Sequence, residues 1–159
     1  MIEICAEKFE DIPAIRHVHQ QAFQPRLNEA HLVELLRQAH KTSISLVALS
    51  EARLVGHLLF SPIAFVPAQP TIRGLGLAPI CILPEFQKQG IGSKLIVQGL
   101  QDCQQSGSDL VVVLGDPRFY SRFGFSRAKD HQLGNEYDAD EEFMVMELQA
   151  GALHGVKFF

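Results

Sequence analysis

Residues 77–106 read LAPICILPEFQKQGIGSKLIVQGLQDCQQS. The apolar run from Leu77 to Leu83 ends at Pro84, and it has the length and flanks of a buried strand. After Gln87 the apolar residues recur at helical spacing, at Ile91, Leu95, Ile96, Leu100 and Cys103. The stretch therefore predicts a central strand followed by an amphipathic helix, with Gly107 as its left-handed stop.

The junction between this strand and helix has the features of an anion site. The first turn of a helix presents unpartnered N–H groups and the positive end of the macrodipole. Gly90 and Gly92 remove the side chains that would keep a phosphate away, and Lys88 and Lys94 add positive charge. The alternative is that the two glycines only permit a tight turn.

Two common phosphate loops do not fit this junction. A P-loop needs Gly-Lys-Ser/Thr after a four-residue spacer, whereas the order here is Gly92-Ser93-Lys94. The dinucleotide fingerprint needs a helix after its glycines, whereas Gly74-Leu75-Gly76 runs into the predicted strand. A different kind of phosphate ligand is therefore expected.

Two segments resemble signatures of the GNAT N-acetyltransferase superfamily. QKQGIG at 87–92 is similar to its Gln/Arg-x-x-Gly-x-Gly/Ala motif, and FYSRFGF at 119–125 is similar to its aromatic-Tyr-x-x-x-Gly-Phe segment. With LGDP at 114–117, the match resembles a bacterial subfamily of small, mostly uncharacterised members. These motifs cover residues 77–125, while the flanks agree in element order only.

The resemblance implies a site for acetyl-CoA, the acyl donor. No histidine, cysteine or carboxylate set has metal-ligand spacing, so no metal is expected. In that family the amides of the Gly-x-Gly segment hold the coenzyme A pyrophosphate, and the central strand pairs with the pantetheine arm. The predicted cofactor-binding residues are Ile80, Cys81, Ile82, Gln87, Lys88, Gln89, Gly90, Ile91, Gly92 and Ser93.

The resemblance also assigns a general acid. Tyr120 matches the tyrosine that protonates the departing thiolate in the family, and a phenol with a pKa of about 10 stays protonated at neutral pH. One departure is that Leu114-Gly115-Asp116 stands where many members carry a cofactor-binding asparagine. The alternative is that Tyr120 only packs its short helix.

The general base is not assigned by the resemblance. Several members use a glutamate on the central strand, but Leu77 to Leu83 contains no acid. His57 and Glu29 are the remaining candidates, and each also has a purely structural interpretation.

The predicted element order is a strand, two helices, two strands, the central strand with its helix, and three further strands. The predicted strands are Ile2–Cys5, Ser45–Ser50, Arg53–Phe60, Leu77–Leu83, Asp109–Leu114, Phe123–Phe125 and Phe143–Leu148. This order agrees with the GNAT-like α/β fold of α+β type, a mixed and mostly antiparallel sheet with helices on both faces and splayed central strands. Residues 1–159 are expected to form a single GNAT-like domain.

Composition predicts a cytoplasmic globular protein. The net charge of −4 and scattered basic residues argue against nucleic acid as a partner, and no apolar run is long enough to span a membrane. The three cysteines show no Cys-x-x-Cys spacing and are expected to act as small apolar residues. An exposed edge strand or the tail at 156–159 can pair two chains into a homodimer.

These observations predict an N-acetyltransferase that moves an acetyl group from acetyl-CoA to an amine by direct transfer in a ternary complex. The acceptor is a small-molecule or peptide amine that the sequence does not identify. The alternatives are a non-catalytic acyl-CoA sensor, and a protein for another phosphate ligand that shares only the Gly90 and Gly92 turn.

Overall fold

The structure, a computed structural model, describes residues 1–22, 44–65, 71–131, 133–134 and 141–153. Its strands are β1 Ile2–Ala6, β2 Ile44–Ser50, β3 Arg53–Pro62, β4 Gly74–Ile82, β5 Leu110–Leu114, β6 Ser126–Arg127 and β7 Phe143–Glu147. Its helices are α1 Ile12–Ala22, α2 Ile91–Gln105 and α3 Pro117–Tyr120. The predicted second helix with Glu29 and the tail at 156–159 lie outside the described residues.

The strands form a mixed sheet in the order β1-β2-β3-β4-β5-β7-β6. Four neighbouring pairs are antiparallel, namely β1 with β2, β2 with β3, β5 with β7, and β6 with β7. β4 and β5 are parallel, and their register joins Gly74–Gly76 to Leu110–Val112. The prediction of a mixed, mostly antiparallel sheet is confirmed.

The described chain forms two compact units. Unit 1 comprises Met1–Ser61 and Ala78–Gly99, and unit 2 comprises Pro62–Leu77 and Leu100–Phe159. The chain passes from one unit to the other within β4 and again within α2. The expectation of a single domain stays a prediction.

Helices cover both faces of the sheet in unit 1. The side chain of His19 on α1 contacts His57 on β3. A Cβ built on Gly99 of α2 would lie 2.5 Å from Phe60 Cε2 and 3.0 Å from Leu58 Cδ2. Because neighbouring residues of a strand point to opposite faces, His57 and Leu58 face different layers. Helices α1 and α2 therefore pack on opposite faces.

The core of unit 2 forms between β5, β7 and the turns around them. Its buried members are Leu110, Val112, Ala128, Leu133, Val145 and Leu153. The β-branched run from Val111 to Val113 is buried along its length, as is typical of a strand covered on both faces.

Two predicted strand starts were wrong by three residues, and the other strand boundaries agree within two residues. β4 begins at Gly74 rather than Leu77, because residues Gly74–Gly76 pair in parallel with Leu110–Val112 of β5. The predicted strand at Phe123 does not form, because a 3-10 turn runs over Ser121–Phe123 and ends at Gly124 with a left-handed φ of 104°. The strand there is β6, two residues long.

Candidate active site

The turn between β4 and α2 is held by its own backbone and glutamines. The Leu83 N–H donates to Val55 O at 2.8 Å, which fixes the end of β4 against β3. Pro84–Phe86 forms a 3-10 turn. Gln87 is one of the predicted cofactor-binding residues. Its side chain stabilises the loop, because Nε2 donates to Ile82 O at 3.0 Å.

The residues after Gln87 turn sharply into α2. Lys88 has a φ of 64° and Gly90 a φ of 84°, both in the left-handed region. A non-glycine residue there carries strain, and such strain concentrates at functional sites. The Lys94 N–H donates to Gly90 O at 3.1 Å as the helix begins. The amides of Ile91 and Gly92 precede this bond and have no acceptor within the helix.

Gly92 leaves open space at the first turn of α2. A Cβ built there would meet only Ile80 Cδ1, at 3.9 Å, which is ordinary contact. Packing therefore does not require a glycine at this position. Glycine inside a helix also costs about 1 kcal/mol relative to alanine, so helix stability does not favour it either. The absent side chain instead leaves the helix amides open to an anion. This is the feature expected of a phosphate cradle.

The predicted cofactor residues differ in exposure. Gln87, Lys88, Gln89 and Gly90 are exposed, Gly92 and Ser93 are half-buried, and Ile91 is buried and anchors α2. On β4, Cys81 is buried while Ile80 and Ile82 are half-buried. All ten belong to unit 1.

Tyr120 lies in unit 2, at the end of α3. Asp116 caps this helix by accepting the Arg118 N–H at 2.9 Å, and that hydrogen bond is the main cause of the lowered pKa of its carboxyl. The Tyr120 ring makes edge contacts with Phe119 and Phe125, with ring centroids 5.0 and 5.7 Å apart. Burial raises the pKa of the phenol, so the hydroxyl stays protonated at neutral pH.

Gly115 makes room for this tyrosine. A Cβ built on Gly115 would overlap Tyr120 Cε2. The glycine that follows β5 therefore allows the ring to pack over the end of the strand. The sequence predicts the turn at this position but not the packing.

His57 is fully buried on β3, and both of its ring nitrogens have partners. Nδ1 lies 2.9 Å from His19 Nε2, and Nε2 lies 2.7 Å from Ser45 Oγ. Ser45 in turn donates to Glu7 Oε1. Sequence reasoning did not find Glu7, His19 or Ser45 as members of one cluster. Glu29, the other base candidate, lies outside the described residues.

The thiols of Cys5 and Cys103 are not activated as nucleophiles. Cys81 is 4% exposed and Cys103 is fully buried, and burial raises the pKa of Cys103 to about 12. The pKa of Cys5 is also raised, first by burial and then by Glu3 and Asp11. Reactive cysteines have lowered pKa values, so neither Cys5 nor Cys103 has the thiol of a nucleophile.

Two kinds of feature are missing from the described part of the chain. Within the described ranges, no group of three or more histidine, cysteine or acidic residues is placed to hold a metal ion. None of the helices described is both long and apolar enough to span a bilayer.

Comparison with known families agrees with this fold. The model of the acetyltransferase (GNAT) domain matches residues 5–128. The chain therefore belongs to the GNAT family and is an acetyl-CoA-dependent N-acetyltransferase.

Its similarity to individual relatives extends over most of the chain. It is 34% identical over 148 residues to the uncharacterised N-acetyltransferase YhbS of Escherichia coli, covering 92% of this chain and 87% of YhbS. It is 35% identical over 117 residues to the uncharacterised N-acetyltransferase YjhQ of E. coli, covering 72% of this chain and 64% of YjhQ.

Two solved structures share the fold closely. The crystal structure of E. coli YhbS in complex with CoA has a TM-score of 0.91 and 33% identity, over 99% of this chain and 87% of that one. A GNAT family acetyltransferase from Brucella melitensis in complex with acetyl-CoA has a TM-score of 0.78 and 33% identity, over 94% and 89%. These similarities confirm the predicted fold class.

Proposed function

We propose that this chain transfers the acetyl group of acetyl-CoA directly to an amine while both substrates are bound. The amine nitrogen attacks the thioester carbonyl, a C–N bond forms and the C–S bond breaks. The amine loses a proton and the departing thiolate gains one. The acceptor is a small-molecule or peptide amine.

The observation that carries the proposal is the open first turn of α2. Its amides, with the glycines at 90 and 92, suit the pyrophosphate of coenzyme A. Lys88 and Lys94 are exposed and add local positive charge to a chain of net charge −4. We assign the pyrophosphate to the backbone of residues 88–93 and the pantetheine arm to Ile80–Ile82.

Two groups are proposed to assist the chemistry. A backbone N–H of the Ile80–Ile82 segment faces the thioester oxygen, and one well-aimed donor of this kind is worth about 10²–10³ in rate. Tyr120 is the general acid, since its buried phenol keeps its proton at neutral pH. His57 and Glu29 remain the base candidates.

Direct transfer is favoured over an acyl-cysteine intermediate because the thiols are buried or only partly exposed and those of Cys5 and Cys103 have raised pKa values. Steady-state kinetics at varied acetyl-CoA and amine distinguish the two routes. A ternary complex gives intersecting reciprocal plots, and a covalent intermediate gives parallel ones.

The first experiment is calorimetric titration of the purified protein with acetyl-CoA, followed by a thiol-release assay across amines, amino acids and short peptides. We expect binding, and release that one class of amine accelerates. Binding without turnover would favour the acyl-CoA sensor. Failure to bind would contradict the assignment of residues 87–93.

A further inference from the structure

The guanidinium of Arg53, the first residue of β3, makes two contacts with the turn that leads into the proposed cofactor loop. Its Nη2 lies 3.5 Å from Glu85 Oε2, and its Cζ lies 5.5 Å from the centre of the Phe86 ring. Both partners belong to the 3-10 turn Pro84–Phe86. One side chain of β3 therefore contacts two consecutive residues of this turn.

The pairing of β3 with β4 brings Arg53 to this position. The Leu83 N–H donates to Val55 O at 2.8 Å, just after the end of β4. Arg53 lies two residues before Val55, and Glu85 lies two residues after Leu83. The Arg53 side chain therefore continues the contact between the two chain segments beyond the end of β4. All of these residues belong to unit 1.

Hydrogen bonds connect the turn to the loop that follows it. The Phe86 N–H donates to Leu83 O at 2.8 Å, which closes the turn. Gln89 Nε2 donates to Glu85 O at 3.4 Å, which ties the loop back to the turn. A displacement of Glu85 or Phe86 would therefore also displace the loop backbone.

The loop depends on such contacts because it is exposed and strained. Residues Lys88 to Gly90 are all exposed, so burial in the core does not fix their conformation. Lys88 has a φ of 64°, in the left-handed region. A non-glycine residue keeps such a conformation only where the surrounding structure holds it there. Support from the preceding turn therefore bears on the shape of the loop.

We propose that Arg53 is a positioning residue for coenzyme A. It holds the Pro84–Phe86 turn, and through the turn it keeps the amides of residues 88–93 in the conformation that binds the pyrophosphate. A loop that is already ordered loses less conformational entropy on binding, so this support raises the affinity for the cofactor. This inference rests on the proposed function.

The size of the effect follows from the two contacts together. The side chains of Arg53 and Glu85 are 55% and 58% exposed, and an ion pair of this kind is weak by itself. The contact over the Phe86 ring adds to it, and both contacts share the cost of ordering one arginine side chain. We expect them to favour the closed turn by about 3-fold to 10-fold.

Amide hydrogen exchange measures this support without any ligand. The Phe86 N–H reports opening of the turn, and the Leu83 N–H reports the adjoining contact with Val55. In Arg53→Gln we expect exchange at Phe86 to be about 3-fold to 10-fold faster and exchange at Leu83 to be unchanged. Arg53→Lys keeps a cation near Glu85 and should stay within about 2-fold of the wild type. Unchanged exchange at Phe86 in Arg53→Gln would contradict the support.

Calorimetric titration with coenzyme A measures the consequence for binding. We expect Arg53→Gln to bind about 3-fold to 10-fold more weakly and Arg53→Lys to stay within about 2-fold of the wild type. In turnover, Arg53→Gln should raise the KM for acetyl-CoA and leave kcat unchanged, because the contact holds the binding loop in every bound state. Arg16→Gln removes an exposed positive charge from α1 in the same unit and should bind as wild type.

Phe86→Leu separates positioning from direct attraction between Arg53 and the phosphates. This change keeps every charge and removes the ring under the guanidinium. We expect it to weaken coenzyme A binding. The double variant with Arg53→Gln should bind about as weakly as Arg53→Gln alone, because both changes remove the same contact. Wild-type binding by Phe86→Leu, or additive losses in the double variant, would contradict the positioning role.

Failure of this inference and failure of the proposed function give different results. A wild type that does not bind coenzyme A would contradict the proposed function. A wild type that binds it, together with an Arg53→Gln variant of wild-type affinity, would contradict the role of Arg53 alone.

Discussion

Tyr120 is the residue that we propose as the general acid. Replacing it with phenylalanine removes only the hydroxyl and keeps the edge contacts with Phe119 and Phe125. We expect Tyr120→Phe to lower kcat by about 10²–10⁴, because the thiolate would leave without a positioned acid. The thiol-release assay measures this change.

The Tyr120→Phe variant must still bind its cofactor for this result to be informative. Calorimetric affinity for acetyl-CoA within about twofold of wild type is the control, since the cradle lies in unit 1. A variant with normal binding and undiminished kcat would remove Tyr120 from the mechanism.

Residues that belong to a short sequence motif were predictable from the sequence. Residues whose role depends on contacts between distant parts of the chain were not. Gly90 and Gly92 lie within one motif, and the left-handed φ of Gly90 fits its place there. His19 and Ser45 carry no such signal, because their contacts depend on strand register and on the placement of α1. His17 and His19 lie two residues apart on α1 and point apart, so that one is exposed and the other is buried.

At the scale of single elements, the β2–β3 hairpin has an unfavourable turn. Glu51 and Ala52 connect the strands with φ of 48° and 70°, where asparagine and glycine are preferred. We expect the double change Glu51→Asn and Ala52→Gly to raise the free energy of unfolding by about 1 kcal/mol or more. Urea denaturation measures it.

A matched change in the same turn is Ala52→Val. It puts a β-branched residue at a positive φ and should lower the free energy of unfolding. Equal or lower stability of the Asn-Gly variant would show that the turn is not strained as described. The predicted strands leave a two-residue turn at Glu51 and Ala52, and its position is confirmed even though these two residues are atypical of such turns.

Helix α2 is held against the sheet by a close approach at Gly99. Alanine is the better helix former, yet a Cβ there would lie 2.5 Å from Phe60 Cε2. We expect Gly99→Ala to destabilise by about 1–3 kcal/mol in urea denaturation, because the helix must shift. Gln101→Ala, at an exposed position of the same helix, is the control. A stabilised Gly99→Ala would contradict this packing.

Elements with strong periodicity were predicted well, and those that depend on glycine conformation were not. The five apolar positions of α2 were identified and all are buried. Gly74 and Gly124 misled the strand boundaries, because one serves close packing and the other a left-handed turn. The sequence alone does not show whether a glycine allows close packing or a left-handed turn.

For the whole molecule, the buried thiol of Cys103 makes the free energy of unfolding depend on pH in the alkaline range. Its folded pKa of about 12 exceeds the ordinary value of 9.0. The unfolded chain therefore loses this proton first as the pH rises. The contribution of the neutral Cys103 thiol to the free energy of unfolding is fully present below about pH 8.5 and is lost as the pH rises toward 12.

We expect the free energy of unfolding of the wild type to fall more steeply between about pH 8 and pH 11 than that of Cys103→Ala. Urea denaturation in the presence of a reductant measures both slopes, and Val97→Ala, an exposed change on α2, should keep the wild-type slope. Equal slopes for wild type and Cys103→Ala would contradict the burial of this thiol.

The first turn of α2 is proposed to bind the phosphates of coenzyme A. The decisive variant is Gly92→Glu, which adds a negative charge to a first turn that carries no acidic residue, in a helix that is fully described. An acidic residue there favours the helix and its dipole, so thermal stability should not fall. The same charge repels a phosphate at the helix amides.

Calorimetric titration with coenzyme A of the wild type, Gly92→Glu and Gln101→Glu is therefore the most direct measurement. Gln101→Glu makes an equal charge change at an exposed position later in α2. We predict that Gly92→Glu loses at least about 10-fold in affinity, or 1.4 kcal/mol, while Gln101→Glu binds as wild type. A folded Gly92→Glu variant with wild-type affinity would contradict the assignment of the cofactor to this turn.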